Sequence, residues 1–141
     1  MVISFYSEQI KPPLLNKKKI NSLIKCIAFD FKKKLGNISV IFCKDEYLLE
    51  INKKYLNHDY YTDIITFNYN EENNVSGDLF ISLERVYENA KSLNQPTDIE
   101  TLRVIVHGFL HLIGINDKSV KEKAEMTKFE NLYLKKYKEI I

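Results

Sequence analysis

Apolar and polar positions set out the chain's elements before any chemistry is considered. Val2–Tyr6 reads as a short alternating strand, and Pro12-Pro13 breaks the chain ahead of Asn16, a residue suited to cap a helix. From Lys17 to Leu35, the residues Ile20, Leu23, Ile24, Ile27, Phe31 and Leu35 recur at helical spacing, which predicts a helix ended by Gly36-Asn37. Ile38–Cys43 reads as a buried strand, and Asp45 is placed as the cap of a helix carrying Tyr47, Leu48, Ile51 and Tyr55. A polar loop, Asn57–Tyr61, leads into a β-branched strand over Thr62–Tyr69. Glu71–Ser76 then reads as a turn-rich connection and Gly77–Ser82 as another strand. Helices are predicted at about Leu83–Leu93, Asp98–Ile113 and Ser119–Tyr137. Together these elements predict an α+β fold: a single domain over residues 1–141, with a mixed four-stranded sheet covered by helices.

Composition narrows the class. A chain of 141 residues, 45% hydrophobic and 28% charged, has the length of one domain and lies outside the disordered and fibrous classes. The longest apolar run, Val104–Ile115, is short of the roughly 20 residues a membrane span needs, and it contains two histidines. The start of the chain lacks a basic segment followed by an apolar block, so no secretory signal and no membrane partner are expected. Cys26 and Cys43 are isolated, which fits a reduced cytoplasm and two small buried hydrophobes. The net charge of +2 conceals an uneven distribution: residues 1–54 carry +6, 55–117 carry −7 and 118–141 carry +3. The Lys17–Lys19 and Lys32–Lys34 clusters and the Lys-rich last helix could attract a polyanion such as RNA, although a solvated helix face is the plainer account of them.

Chemistry concentrates in VIVHGFLHLIGIND. His107 and His111 lie four residues apart, a spacing that advances a helix by about 6 Å and returns to nearly the same face, so both imidazoles can grip one metal ion. Val104, Ile105, Val106, Phe109, Leu110, Leu112 and Ile113 leave the helix almost no polar face, and burying imidazoles among them costs desolvation. Two satisfied core histidines are the plainer alternative; the paired spacing weighs toward metal. Gly114 can end the helix with positive φ and turn the chain back over the pair, with Asn116 and Asp117 in reach. The result is a zincin-like HxxxH helix with His107, His111 and Asp117 as metal ligands, one zinc per chain, and an open fourth position. For Asp117 the alternative is turn chemistry or capping of the next helix. A zinc protease of the HExxH type carries its general base directly after the first His, where this chain has Gly108. Peptidase chemistry therefore ranks below phosphodiester hydrolysis, where the metal itself supplies charge neutralisation and an activated water.

HGFLHLIGIND resembles the HGxLHLxGxDH signature of the YbeY-type rRNA maturation factors, single-domain bacterial metal-dependent endoribonucleases. The likeness extends to Asn52, Tyr55, Thr62-Asp63-Ile64 and Thr66-Phe67, to Gly77-Asp78-Leu79 with Ile81-Ser82, and to Ala90, Met126 and Glu130. It covers about Leu48 to Glu130. The resemblance implies a cytoplasmic zinc-dependent endoribonuclease acting on single-stranded rRNA, in small-subunit 3′-end maturation and ribosome biogenesis. The small ribosomal subunit or its assembly factors are the implied partners. Two positions depart from the pattern. The third ligand of the family is usually a His, where this chain has Asp117 with Asn116 before it, and Leu56 stands where the family typically has an Arg. Arg85, Arg103 or a flanking lysine are the nearest basic residues by sequence.

The Leu56 departure motivates an alternative, a ribosome-assembly binding module with a structural or vestigial metal; a zinc peptidase with an unusual base is a third reading. Among the remaining residues, His58 reads as loop or as support for the site, and Asp63 and Asp78 as turn-pinning acids at strand starts or as parts of the cleft. Tyr60-Tyr61 reads as edge packing or as a surface for unpaired bases, and Met126 as core.

Overall fold

A computed structural model describes residues 2–140. Its elements are β1 (Val2–Ser7), α1 (Lys17–Asp30), β2 (Lys34–Cys43), α2 (Asp45–Leu56), β3 (Ile64–Asn68), β4 (Asn74–Ser82), α3 (Leu83–Ser92), α4 (Thr97–Leu112) and α5 (Val120–Glu139). The strands form one sheet in the order β1-β2-β4-β3. β1, β2 and β4 run parallel, while β3 runs antiparallel at the edge, with Ile64 opposite Ile81 and Asn68 opposite Gly77. The mixed α+β architecture read from the sequence is the one observed.

Strand alternation assigns the two faces. Ile38, Val40 and Phe42 of β2 and Val75, Leu79 and Ile81 of β4 join Ile20, Leu23 and Ile27 of α1 and the buried residues of α4 and α5 in the main core. On the opposite face Cys43, Ile65, Phe67 and Phe80 pack under Leu48 and Ile51 of α2. Val104, Ile105, Val106, Phe109 and Leu110 are all buried, which is why α4 has so little polar surface. That helix sits close on the sheet because Gly108 has no side chain: a Cβ there would stand 2.6 Å from Ile64 Cδ1 and 3.1 Å from Leu79 Cδ2. The close approach sets the neighbouring His107 beside β3.

Several boundaries differ from the sequence reading. The first helix ends at Asp30, not Leu35. Lys32 takes a left-handed φ of 57°, its N–H donates to the Phe29 carbonyl and the Lys33 N–H to that of Ala28, so the helix closes on a residue that carries no turn signature. Gly36-Asn37 consequently lies inside β2, at the irregular pairing between Leu35 and Ile38. Asp45 is not a cap. Lys44 holds that position without a side-chain bond, and the Asp45 carboxylate instead accepts from Ser82 Oγ at 3.0 Å and Arg85 at 2.7 Å. Thr62-Asp63 precedes β3, and Asp78 lies within β4 where the Tyr69 hydroxyl donates to it. Ser119 caps α5 through a reciprocal pair of hydrogen bonds with Glu122.

Candidate metal centre

The last turns of α4 present His107 and His111 on one side, their rings 4.6 Å apart and nearly perpendicular. Their Nε2 atoms are 3.0 Å apart. Gly114, at φ 103°, ends the helix in the left-handed manner expected of it, with its N–H donating to the His111 carbonyl and that of Ile115 to Leu110. The reversed chain returns Asp117, whose Oδ2 lies 3.4 Å from His107 Nε2 and 3.3 Å from His111 Nε2. His107, His111 and Asp117 thus offer three ligand atoms to a single point.

These spacings suit a small divalent cation. Ligands about 2.05 Å from a zinc at tetrahedral angles stand about 3.3 Å from one another. The protonation pattern agrees. Glu130 Oε2 is 2.6 Å from His107 Nδ1, a contact in which Nδ1–H donates to the carboxylate oxygen, so that in the neutral ring the Nε2 lone pair faces the centre. Burial pulls the His107 pKa down, but the Glu130 hydrogen bond and the charges of Glu130, Asp117 and Asp63 outweigh it and hold the pKa above its usual value. Positive charge is favoured at this point of the fold.

Behind Glu130 stands a chain of charges. Arg103 Nη1 donates to Glu130 Oε1 at 3.2 Å, and its Nε lies 3.4 Å from Glu100, itself buried. The sequence reading placed Glu130 in a family pattern only and missed its contact with His107. A signal was present: Met126, Glu130, Tyr133 and Leu134 form the buried stripe of α5, and an acid in such a stripe needs a partner.

The triad opens into a cleft of about 480 Å³, shared with Asn52, Leu56, His58, Tyr60 and Asp63 among others. Burial pushes the Asp63 carboxyl above its ordinary pKa, against the pull of His107 and of backbone N–H groups. Neither arginine named from the sequence lines this cleft: Arg85 is paired with Asp45 at 2.7 Å, and Arg103 with Glu130. Asp78 and Tyr61 also lie outside it, the Tyr61 hydroxyl donating to Glu46 at 2.6 Å. Met126 is plain core.

A family model described as "Endoribonuclease YbeY" matches residues 3–138. The chain belongs to the YbeY endoribonuclease family. Among curated members, the protein named Endoribonuclease YbeY from Parabacteroides distasonis is 51% identical over 131 residues, spanning 93% of this chain and 92% of that one. The Bacteroides fragilis protein of the same name is 50% identical over 93% of this chain and 94% of its own length. A solution structure from Thermotoga maritima, 27% identical, superposes with a TM-score of 0.63 over 96% of this chain and 89% of that one. The YbeY match covers every element that builds the cleft, including α5, which brings Glu130 to His107. No helix among the described residues is long and apolar enough to cross a membrane.

Proposed function

We propose that residues 1–141 form one zinc-dependent endoribonuclease domain that cuts single-stranded RNA, with His107, His111 and Asp117 as the protein ligands of one Zn²⁺. The reading places the chain in the cytoplasm, in small-subunit rRNA 3′-end processing and ribosome biogenesis, beside the small subunit or its assembly factors. The observation that carries it is the convergence of two imidazole nitrogens and one carboxylate oxygen, 3.0–3.4 Å apart, at the head of an open cleft.

When bound, a metal at this point supplies Lewis acidity and charge neutralisation to a phosphodiester. The chain's own groups do the rest. Glu130 fixes the His107 ring and its tautomer. Asp117 brings a full negative charge where a third imidazole would bring none, which leaves the centre less positive than a three-histidine set would. Asp63, its carboxyl pKa raised by burial, stands in the same cleft as the group suited to carry a proton to or from the phosphodiester.

The test is metal content together with cleavage. Purified wild type should hold about one zinc per chain and cut single-stranded RNA, and His111→Ala should lose both while keeping its circular dichroism. A wild type that stays metal-free after refolding in zinc would end this reading.

One observation favours the assembly-module alternative: the cleft has no lysine or arginine among its lining residues. Equal cleavage by wild type and His111→Ala at equal purity would support it. Gly108 speaks against a peptidase of the HExxH type, since the position after the first His has no room for a glutamate between Ile64 and Leu79.

A further inference from the structure

The cleft raises a problem that its own residues answer. Its lining includes the carboxyls of Asp63 and Asp117 and no lysine or arginine, and the nearby cations are engaged elsewhere: Lys53 with Asp59 and Glu50, Arg85 with Asp45, Arg103 with Glu130. Apart from a metal at the His107–His111–Asp117 point, no cation of the chain lines the cleft to seat the backbone of an RNA strand. What the cleft wall does offer is a flat aromatic surface. His58 and Tyr60 stack with ring centres 5.0 Å apart and planes within 19°, and the Tyr60 hydroxyl is hydrogen-bonded to His58 Nδ1 at 2.9 Å. Both residues are exposed, Tyr60 to 55%, so core packing does not account for them.

The surface is also held in place. Asn52, only 1% exposed, donates from its side chain to the Tyr60 carbonyl at 2.8 Å, and its own carbonyl accepts from the His58 N–H at 3.1 Å. Asn57 turns the chain out of α2 with a left-handed φ of 57°. One buried side chain and one helix end therefore hold the backbone of both residues, and the two rings brace each other, before any ligand arrives, which lowers the entropy lost on binding.

We infer that the His58–Tyr60 pair is a nucleobase-binding subsite of the cleft, which seats an unpaired base by stacking and so delivers the adjoining phosphodiester toward His107, His111 and Asp117. The inference rests on the endoribonuclease reading for its substrate, but not on the metal. Every base has a π-face, so the subsite favours single strands with little sequence preference, and a base locked in a duplex cannot reach it.

The test compares a short 2′-O-methyl oligoadenylate with an abasic strand of equal length and charge. Wild type should bind the base-bearing strand about fivefold or more tightly, within the range that single stacked bases contribute. Tyr60→Ala should bring that ratio close to one, and Tyr60→Phe, which keeps the ring and loses the hydroxyl, should retain most of it. Tyr60→Ala is compared at circular dichroism equal to wild type, so that loss of the ring is not confused with loss of the fold. Equal binding of the two strands by wild type, or an unchanged ratio in Tyr60→Ala, would overturn the subsite. His111→Ala separates the two readings: its zinc content and cleavage report on the metal centre, while its base-over-abasic ratio should match wild type.

Discussion

His107 and Glu130 are 23 positions apart in the chain and 2.6 Å apart in space, joining α4 to α5 at the head of the cleft. Glu130 is nearly fully buried, and its second oxygen is held by Arg103. A carboxylate in that setting does two things for a metal ligand: it fixes the ring's orientation and makes its far nitrogen a better donor. Glu130→Gln keeps the shape and removes the charge. Zinc affinity, measured by competition with a chromophoric chelator, should fall about 10- to 100-fold. An unchanged affinity would show that Glu130 serves only to join the helices.

Gly108 tests the packing of α4 on the sheet. The nearest atom to an added Cβ is Ile64 Cδ1, the end of a side chain that can rotate away, and alanine is favoured over glycine in a helix by about 1 kcal/mol. The two effects oppose each other, so Gly108→Ala should change stability by less than about 1 kcal/mol. Gly108→Glu has no such escape, because its carboxylate would be forced among Ile64 and Leu79 with no partner. It should cost more than about 3 kcal/mol and confer no peptidase activity. Urea unfolding of the two variants would measure the difference, and a stable Gly108→Glu would mean that α4 can lift from the sheet.

The elements around the site were largely legible because their signals are local. The apolar periodicity of α4, the paired histidines and the Gly114 turn lie within one short run, and helix geometry alone carries them to the observed arrangement. What was illegible was settled by contacts between distant segments. Asp45 looks like a cap, yet its carboxylate is drawn to Arg85, 40 positions away. Lys32 closes α1 in a conformation more usual for glycine, so the helix seemed to run on to Gly36. The role of Glu130 depends on α5 folding back beside α4, and the stacking of His58 on Tyr60 on the anchoring of their loop by Asn52. Family resemblance marked Asn52 and Glu130, but only the structure shows what each one holds.

Cys43 bears on the tightness of the face under α2. It is fully buried beside Leu48 and Ile65, and burial, helped by the charges of Asp45, Glu8 and Glu84, pushes its thiol up to about 12. Thiolate is the reacting form, so Cys43 should be inert to a thiol reagent at pH 8 in the native protein. Its labelling should appear only with global unfolding, at a rate that follows the denaturant dependence of opening. Mass spectrometry of the labelled peptides distinguishes it from Cys26, which is partly accessible. Rapid native labelling of Cys43 would reveal a local opening of α2.

Acid should loosen the contact between α1 and α5 first. The Tyr133 hydroxyl donates to Asp30 Oδ2 at 2.9 Å and Lys136 Nζ donates to the same oxygen at 3.1 Å. The Tyr133 hydrogen bond, with a smaller contribution from Lys136, outweighs desolvation and holds the Asp30 carboxyl below its ordinary value of 3.8. A pKa lowered by folding means that the unfolded chain binds the proton more readily. The stabilisation is therefore present above about pH 4 and is lost as pH falls through the lowered value. Asp30 is about one-third exposed, so solvent screening limits the effect to about 1 kcal/mol. Asp30→Asn should lower stability by that amount at pH 7 and by progressively less toward pH 3, so that the two unfolding curves converge in acid. Parallel curves across that range would place the Tyr133–Asp30–Lys136 contact outside the acid response of the fold.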